Sequence, residues 1–407
     1  MKRNVFCIFV LALVVISCTA NNNPGDNNNP QPEIYTVTVT AVPTEGGTVT
    51  RDPDQQNYAA GTQITVTATA KNGYMFSSWT GASLGVNASS ASITFNITGD
   101  VNLTANFLNR ETTPIERSRT NVDYAPNGTR RHSRQRYDLR LPDTGEGPFP
   151  LLIYVHGGGF TGGDWRLSSN NNGLVSLARS RGYAVASVGY LLASNSQKAF
   201  PELVEDVLAA IRHLRANAKE YRLDSGRFAI SGFSAGGWLT AIICAVSGTE
   251  NHGYDVTSLG NAGVSHKVQA AASSAALTDF MQLNAQQQTL GGSWIMSDHN
   301  SSGGNMSQLF GGGTVTEAAY GAALAKSNPL THISADTPPI YMLHGTSDNL
   351  VPWQQSDIMV NKINEFIPGK AVFNKITGRG HEDFPASTNA ITKAILDFLD
   401  EKLGVKR

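Results

Sequence analysis

A pentapeptide between two apolar runs constrains the fold of this 407-residue chain more than any other feature. The string Gly-Phe-Ser-Ala-Gly at 232–236 follows the run 227–231 and precedes the run 238–243. Such a string at the turn from a strand to a helix is typical of a nucleophile elbow, which exposes the hydroxyl of its serine, here Ser234. Because the chain holds 40 glycines, the string is weak support by itself and requires the other parts of a catalytic site.

A glycine-rich loop upstream follows a run that is typical of a buried parallel strand. Residues 151–155 are apolar on both faces, and His156 and three glycines at 157–159 come directly after them. Ligands of open α/β sheets bind at the carboxyl ends of the strands. Glycine amides there can stabilise the oxygen that gains charge when an ester is attacked, at roughly 3–4 kcal/mol per donor. We interpret His156 as a structural histidine that supports this loop.

Two strand ends downstream carry an acid and a base. The run 339–343 precedes Asp348, and the run 371–376 precedes His381. A serine becomes a nucleophile when a base lies within hydrogen-bond distance and an acid orients that base. The chain order Ser234, Asp348, His381 is the order of an α/β-hydrolase triad. The sequence therefore predicts an α/β-hydrolase fold, a mostly parallel sheet with helices on both faces, in which these three residues are catalytic.

Other acids and histidines are weaker candidates for the same roles. Glu382 and Asp383 adjoin His381, but neighbours in sequence rarely present their side chains to each other. His344 comes shortly before Asp348, and we expect it to pack beneath that carboxylate. Three further histidines lie in polar stretches with no strand before them: His252, His266 and His299.

Together these motifs resemble the esterase and lipase branch related to hormone-sensitive lipase, and more closely the bacterial acetylxylan and feruloyl esterases. The resemblance covers residues 118–403 and rests on the loops above and on the segments 200–218, 221–228 and 329–339. It implies that the oxyanion donors are the backbone amides of Gly158, Gly159 and Ala235. One departure lies at 189–195, where this chain lacks the usual Tyr-Arg-Leu of those esterases.

The resemblance implies a serine esterase that removes acetyl or feruloyl groups from plant polysaccharide, with no metal or cofactor. A short-chain lipase, a general esterase or a serine peptidase of the same fold is the alternative. A lipase is expected to carry a longer apolar lid than the Gly-, Ser- and Asn-rich segment 291–313, which we expect to be a mobile loop with Trp294, Met296 and Phe310. A third possibility is a glycan-binding surface lipoprotein without activity, but the intact triad argues against it.

The start of the chain indicates export. Lys2 and Arg3 precede an apolar stretch, 5–16, that is too short to span a bilayer and suits a signal peptide. Val-Ile-Ser-Cys at 15–18 resembles a bacterial lipobox, which implies lipid on Cys18; an ordinary secretory signal is the alternative. We therefore expect a lipoprotein anchored to a bacterial membrane by its N-terminal lipid alone, facing the periplasm or the cell surface.

A small all-β domain is predicted between this leader and the α/β domain. Segments 35–40, 63–68, 92–97 and 101–107 alternate apolar residues with Thr, Ser or Asn, which is the pattern of half-buried strands. The region resembles the repeat module of internalin-like and Bacteroidetes surface proteins, in which Trp79 and Tyr74 would either stack on sugars or form the core. The predicted order is leader 1–17, disordered tether 18–32, β domain 33–108, linker 109–117 and α/β domain 118–407.

The net charge of the chain indicates which class of partner it is expected to bind. The formal net charge of −1 argues against a nucleic-acid partner, so the expected partner is an esterified polysaccharide or oligosaccharide. An arginine cluster along a predicted β-hairpin is interpreted as a solvated face: Arg130, Arg131, Arg134, Arg136 and Arg140.

Overall fold

The computed structural model describes residues 33–81, 88, 90–109, 115–125, 129–167, 173–249, 251–290, 301–383 and 389–406. It divides the chain into two compact units, Met1–Thr113 and Pro114–Arg407. The predicted leader, Cys18 and the tether 18–32 lie outside the described residues, as does the central part of the predicted linker. The predicted domain boundaries therefore stay predictions.

The first unit is built from short strands in three sheets. The strands are β1 Ile34–Tyr35, β2 Val37–Val42, β3 Gly47–Asp52, β4 Tyr58–Ala59, β5 Gln63–Ala70, β6 Tyr74–Gly81, β7 Ser92–Asn96 and β8 Val101–Asn109. Two three-stranded sheets have the orders β2-β8-β6 and β3-β5-β7, and β1 pairs with β4. The predicted alternation holds along β5, where Ile64, Val66 and Ala68 are buried between threonines.

Trp79 lies in the core of this β unit. Its side chain is buried, its indole N–H donates to the carbonyl of Ser90 at 2.9 Å, and its ring contacts Phe76. Tyr74 is half-buried and packs against the same cluster. Of the two roles considered for Trp79, the structure therefore favours the core over a sugar-stacking surface.

The second unit contains an eight-stranded sheet. Its strands are β9 Ser118–Asp123, β10 Arg136–Arg140, β11 Phe149–Val155, β12 Ala184–Val188, β13 Leu223–Phe233, β14 Ala270–Ser274, β15 Ile340–Gly345 and β16 Ala371–Ile376. The order is β16-β15-β14-β13-β11-β12-β10-β9. Neighbours from β16 to β12 pair in parallel, and β10 runs antiparallel to both β12 and β9.

Helices cover both faces of this sheet. They are α1 Gly173–Ser180, α2 Glu202–Ala216, α3 Ala235–Val246, α4 Leu283–Thr289, α5 Asn305–Phe310, α6 Glu317–Ser327, α7 Gln354–Phe366 and α8 Asn389–Leu403. Short 3-10 turns occupy Pro329–His332 and His381–Asp383. Within the described part of the chain, no helix combines the length and the apolar character needed to cross a membrane.

Strand β11 shows why the sheet is apolar on both sides. Leu151 and Ile153 belong to the cluster formed with α2, α3 and α7, whereas Leu152 belongs to the cluster formed with α1 and α8. Successive side chains of a strand point to opposite faces, so a central strand between two helical layers has no polar face. This arrangement places the carboxyl ends of β11, β13, β15 and β16 at one edge of the sheet, where the predicted site residues follow them.

Candidate active site

Ser234 occupies the single residue between β13 and α3, in a strained backbone conformation. Its φ is 56° and its ψ is −120°, a region that costs a non-glycine residue about 1–3 kcal/mol. The amide of Ser234 donates to the carbonyl of Ser274 on β14 at 3.0 Å, and its carbonyl accepts from the amide of Trp238 at 2.9 Å. Strand β14 and helix α3 therefore hold the turn, and 8% of the surface of Ser234 remains exposed.

The glycines on either side of Ser234 are required by close packing. A Cβ atom on Gly236 would lie 2.2 Å from the carbonyl oxygen of Val155 and 2.5 Å from that of His156. A Cβ atom on Gly232 would lie 2.3 Å from the carbonyl oxygen of Gly236. The elbow thus rests directly on the end of β11, and no side chain fits at either position.

The structure brings the three predicted triad residues together. Nε2 of His381 lies 3.0 Å from Oγ of Ser234, and Nδ1 of His381 lies 2.7 Å from Oδ2 of Asp348. A carboxylate can only accept, so Nδ1–H donates to Asp348 and Nε2 is left to accept the serine hydroxyl proton. The ring of Phe233 packs against the imidazole at a centroid distance of 4.8 Å, which fixes its orientation further.

Asp348 is held as a buried anion. Burial by itself would raise the pKa of its carboxyl, but hydrogen bonds from His344 and His381 outweigh it and lower the pKa. Oδ1 also accepts from the amides of Leu350 and Val351, at 3.0 and 2.8 Å. The loop after β15 therefore supplies a negative charge on the side of His381 away from Ser234.

His344 lies beside Asp348 and is fully buried. Its Nε2 is 3.3 Å from Oδ2 of Asp348 and 2.9 Å from the carbonyl oxygen of Val351, and its Nδ1 is 2.7 Å from Oγ of Ser356. These contacts tie the acid loop to α7, so His344 positions the carboxylate.

The rival candidates lie elsewhere or face other groups. Asp383 accepts from the amide of Gly380 at 2.7 Å, and Glu382 is exposed. His252 and His266 pack edge to face against each other, with ring centroids 4.9 Å apart. His299 lies outside the described residues.

The loop after β11 lies against the elbow, and together they leave three backbone amides available. A Cβ atom on Gly157 would stand 2.8 Å from the carbonyl oxygen of Phe233 and 3.4 Å from Cβ of Ser234. Gly158 and Gly159 follow with φ of +121° and +58°, a region open to glycine at no steric cost. Within the described part of the chain, the amides of Gly158, Gly159 and Ala235 donate to no protein acceptor, so they are free to bind an oxyanion.

A polar brace holds this loop from behind. Nη2 of Arg134 donates to Nε2 of His156 at 3.2 Å and to the carbonyl of Gly163 at 2.9 Å, and its Nε donates to the carbonyl of Tyr190 at 3.0 Å. Burial lowers the pKa of His156 to about 4, so the ring is neutral at pH 7 and its Nδ1–H donates to the carbonyl of Gly157 at 2.8 Å. The hydroxyl of Tyr190 donates to the carbonyl of His156 at 2.8 Å.

The interpretation of the arginine cluster as a solvated face is wrong for Arg134, which is half-buried. Arg134 forms the brace, and Arg131 pairs with Glu205 at 3.1 Å and with Asp255 at 3.4 Å. The Arg134 side chain reaches inward because the carbonyls of Tyr190 and Gly163 face it, whereas Arg131 stays exposed while it pairs with the buried Glu205. The clustering of arginines along the sequence did not indicate that Arg134 reaches inward. Tyr190 falls in the stretch 189–195, where the chain departs from the resemblance.

Aromatic side chains pack tightly one turn beyond Ser234. Phe160 meets Trp238 edge to face at 5.4 Å and Phe280 at 6.3 Å, and all three are buried. Phe200 and Phe310 extend the cluster, with ring centroids 5.4 Å apart. Phe310 was expected in a mobile loop, but residues 305–310 form α5 and bury Met306, Leu309 and Phe310. Trp294 and Met296 lie outside the described residues.

Among the described residues, no group of three or more His, Cys, Asp or Glu side chains has the arrangement of a metal site.

With this geometry established, comparison with known proteins places the chain in a family. The BD-FAE family model matches residues 137–363, more than half of the chain, so the chain belongs to the BD-FAE family. A divergent InlB B-repeat domain matches residues 36–111. Both matches confirm the resemblances drawn from the motifs.

Individual relatives agree with the fold. The probable carboxylic ester hydrolase LipM of Mycobacterium tuberculosis is 26% identical over 266 residues, 64% of this chain and 55% of LipM. The chain spans about half the length, or less, of the curated relatives it matches.

A solved truncated carbohydrate esterase from gut microbiota has a TM-score of 0.59 at 25% identity, over 72% of this chain and 99% of that one. A bifunctional GH43-CE protein of Bacteroides eggerthii has a TM-score of 0.59 at 20% identity, over 86% of this chain and 49% of that one, which supports the fold alone. The predicted α/β-hydrolase fold with an N-terminal β domain is confirmed.

The packing of the elbow predicts the effect of one methyl group. Gly236→Ala forces a Cβ atom against two carbonyl oxygens, so we expect the free energy of unfolding to fall by about 2 kcal/mol or more. Urea denaturation followed by tryptophan fluorescence measures the change. Gly226→Ala on β13, the strand before the elbow, is the control, because its Cβ would meet only the Asp224 carboxylate at 3.4 Å. Equal effects of the two substitutions would contradict this account of the elbow.

Proposed function

We propose that this chain is a serine carboxylic-ester hydrolase that removes acetyl or feruloyl groups from plant polysaccharide such as xylan. The observation that carries the proposal is the continuous set of hydrogen bonds from Ser234 through His381 to Asp348, at 3.0 and 2.7 Å, beside free glycine amides. The similarity to LipM supports ester hydrolysis, and the similarity to the carbohydrate esterase from gut microbiota supports a sugar ester as substrate.

The first half of the reaction forms an acyl-enzyme. Oγ of Ser234 attacks the ester carbonyl carbon while Nε2 of His381 takes the hydroxyl proton. The anionic carboxylate of Asp348 stabilises the imidazolium that results. The carbonyl oxygen becomes an oxyanion and accepts hydrogen bonds from the amides of Gly158, Gly159 and Ala235.

Collapse of the tetrahedral intermediate completes the acyl-enzyme, and hydrolysis of the acyl-enzyme then releases the acid. The tetrahedral intermediate expels the sugar alkoxide, which takes the proton from Nε2 of His381 and leaves as the alcohol. Water then attacks the acyl carbon with His381 as base, and Ser234 recovers its proton when the carboxylic acid departs. No step of this sequence draws on a metal or a cofactor.

The products released from acylated xylan identify the acyl group that the enzyme removes. We expect acetate or ferulate from acetylated and feruloylated xylan, and a strong preference for short chains among p-nitrophenyl esters. The expectation follows from the similarity to the carbohydrate esterase from gut microbiota, since acetyl is a short acyl group. Faster turnover of long-chain esters would favour a lipase, and cleavage of peptide substrates alone would favour a serine peptidase. Protein carrying Ser234→Ala supplies the blank for every substrate.

The roles of the three side chains predict an order of severity. Ser234→Ala should lower kcat on the order of 10⁵-fold or more, with His381→Ala nearly as severe and the double variant no worse, because a triad acts as a unit. Asp348→Asn should cost less, roughly 10⁴-fold. Steady-state kinetics with p-nitrophenyl acetate measure each value.

Asp383→Asn is the matched control for Asp348→Asn, since Asp383 lies two residues after His381 in sequence but bonds the amide of Gly380. We expect its kcat to stay within about twofold of the parent value. A greater loss for Asp383→Asn than for Asp348→Asn would mean that the acid is wrongly assigned.

For location, we propose that Cys18 carries a lipid that anchors the exported protein to a bacterial membrane, with the β unit following Cys18 and preceding the enzyme along the chain. The proposal rests on the lipobox-like sequence at 15–18. Expression in a bacterial host and mass spectrometry of the mature N-terminus test it. A diacylglyceryl-modified Cys18 is expected, and Cys18→Ala should release the protein from membranes; an unmodified N-terminus would overturn the proposal.

A further inference from the structure

A side-chain amide lies directly on the oxyanion loop. Nδ2 of Asn305 is 2.3 Å from the position that a Cβ atom on Gly159 would take. The described residues contribute only one further atom within 4 Å of that position, Cγ of Asn305 at 3.4 Å. Asn305 is half-buried, and its amide lies in contact with Gly159, one of the proposed oxyanion donors.

Helix α5 holds Asn305 in this place. The carbonyl of Leu309 accepts from the amides of Ala199 and Phe200, both at 3.1 Å. Nε2 of Gln308 donates to Oδ1 of Asn195 at 2.8 Å, and the apolar side of the helix is buried. A side chain at the start of so well anchored a helix is positioned before substrate arrives.

The amide of Asn305 has hydrogen-bonding capacity to offer. An asparagine side chain carries two N–H donors and a carbonyl acceptor, and no hydrogen bond uses any of them within the described part of the chain. A polar group of the substrate is the natural partner, since the amide stands beside the loop that binds the reacting carbonyl.

The chemistry of a sugar ester narrows which polar group that is. An acetyl group has one polar atom, the carbonyl oxygen, and three backbone amides already face it. The alcohol side of a partly acetylated sugar carries a free hydroxyl on a carbon adjacent to the one that bears the esterified oxygen. A hydroxyl both donates and accepts, as does the asparagine amide.

We propose that Asn305 determines specificity by binding this neighbouring sugar hydroxyl, and so selects esters of vicinal diols over esters of simple alcohols. The inference rests on the proposed function, which supplies the sugar ester as substrate. It assigns Asn305 to the alcohol side of the site, apart from the triad and the oxyanion donors.

Three acetate esters that share one acyl group test the proposal in the full chain. They are a monoacetylated methyl xyloside with a free neighbouring hydroxyl, the fully acetylated methyl xyloside, and p-nitrophenyl acetate. Asn305→Ala should lower kcat/KM about tenfold on the first ester, the effect of one lost hydrogen bond, and less than about twofold on the other two. Gln308→Ala is the control on the same helix, because it removes the contact with Asn195 but does not touch Gly159.

The outcomes separate the inference from the proposed function. A similar loss on all three esters would overturn the inference, because Asn305 would then act on the oxyanion or on the shape of the loop. No loss on the monoacetylated xyloside, or an equal loss with Gln308→Ala, would overturn it as well. Parent protein that cleaves p-nitrophenyl acetate but neither xyloside would instead refute the proposed function, and the inference with it.

Discussion

The backbone of Ser234 has a positive φ because the chain turns from β13 into α3 within one residue and packs directly against the end of β11. The packing leaves no alternative path, since the carbonyl oxygens of Val155 and His156 occupy the space that any side chain at Gly236 would need. The cost of this strained residue is offset by the buried sheet and helices on both sides, which fix the turn through hydrogen bonds to Ser274 and Trp238. The hydroxyl consequently projects from the edge of the sheet at which the acid and base loops also end.

Two networks of polar groups then give the site its electrostatic character. On one side, the buried anion of Asp348 fixes the tautomer of His381, so that Nε2 faces Ser234 as an acceptor. On the other side, the neutral ring of His156, held by Arg134 and Tyr190, fixes the glycine loop whose amides are the proposed oxyanion donors. Both networks are preorganised, so the site needs little rearrangement when charge moves during the reaction.

Those parts of the molecule that depend on local pattern could be predicted from the sequence. The runs before His156, Ser234, Asp348 and His381 are mostly apolar and each is followed by a glycine within two residues, and they correspond to β11, β13, β15 and β16. The chain order of serine, acid and histidine then indicates the fold and the candidate triad.

Features that depend on tertiary packing could not be predicted in this way. Strand β14 has the sequence Ala-Ala-Ala-Ser-Ser, which has little strand propensity. Its small side chains are needed because α3 packs close to it. A Cβ atom on Gly237 of α3 would lie only 2.6 Å from the carbonyl oxygen of Ser274. Arg134 resembles a surface arginine until its carbonyl partners are known. Asn305 is distant from the motifs along the chain, and only the folded position of α5 brings it to Gly159.

The central claim is that Ser234 is the activated nucleophile of this site, and covalent labelling tests it most directly. The full chain is treated with a small organophosphate such as paraoxon, digested, and analysed by mass spectrometry. The account predicts one phosphoryl adduct per chain, located on Ser234, with labelling slowed strongly by His381→Ala. An adduct on another residue, or labelling of Ser234 at the same rate without His381, would contradict it.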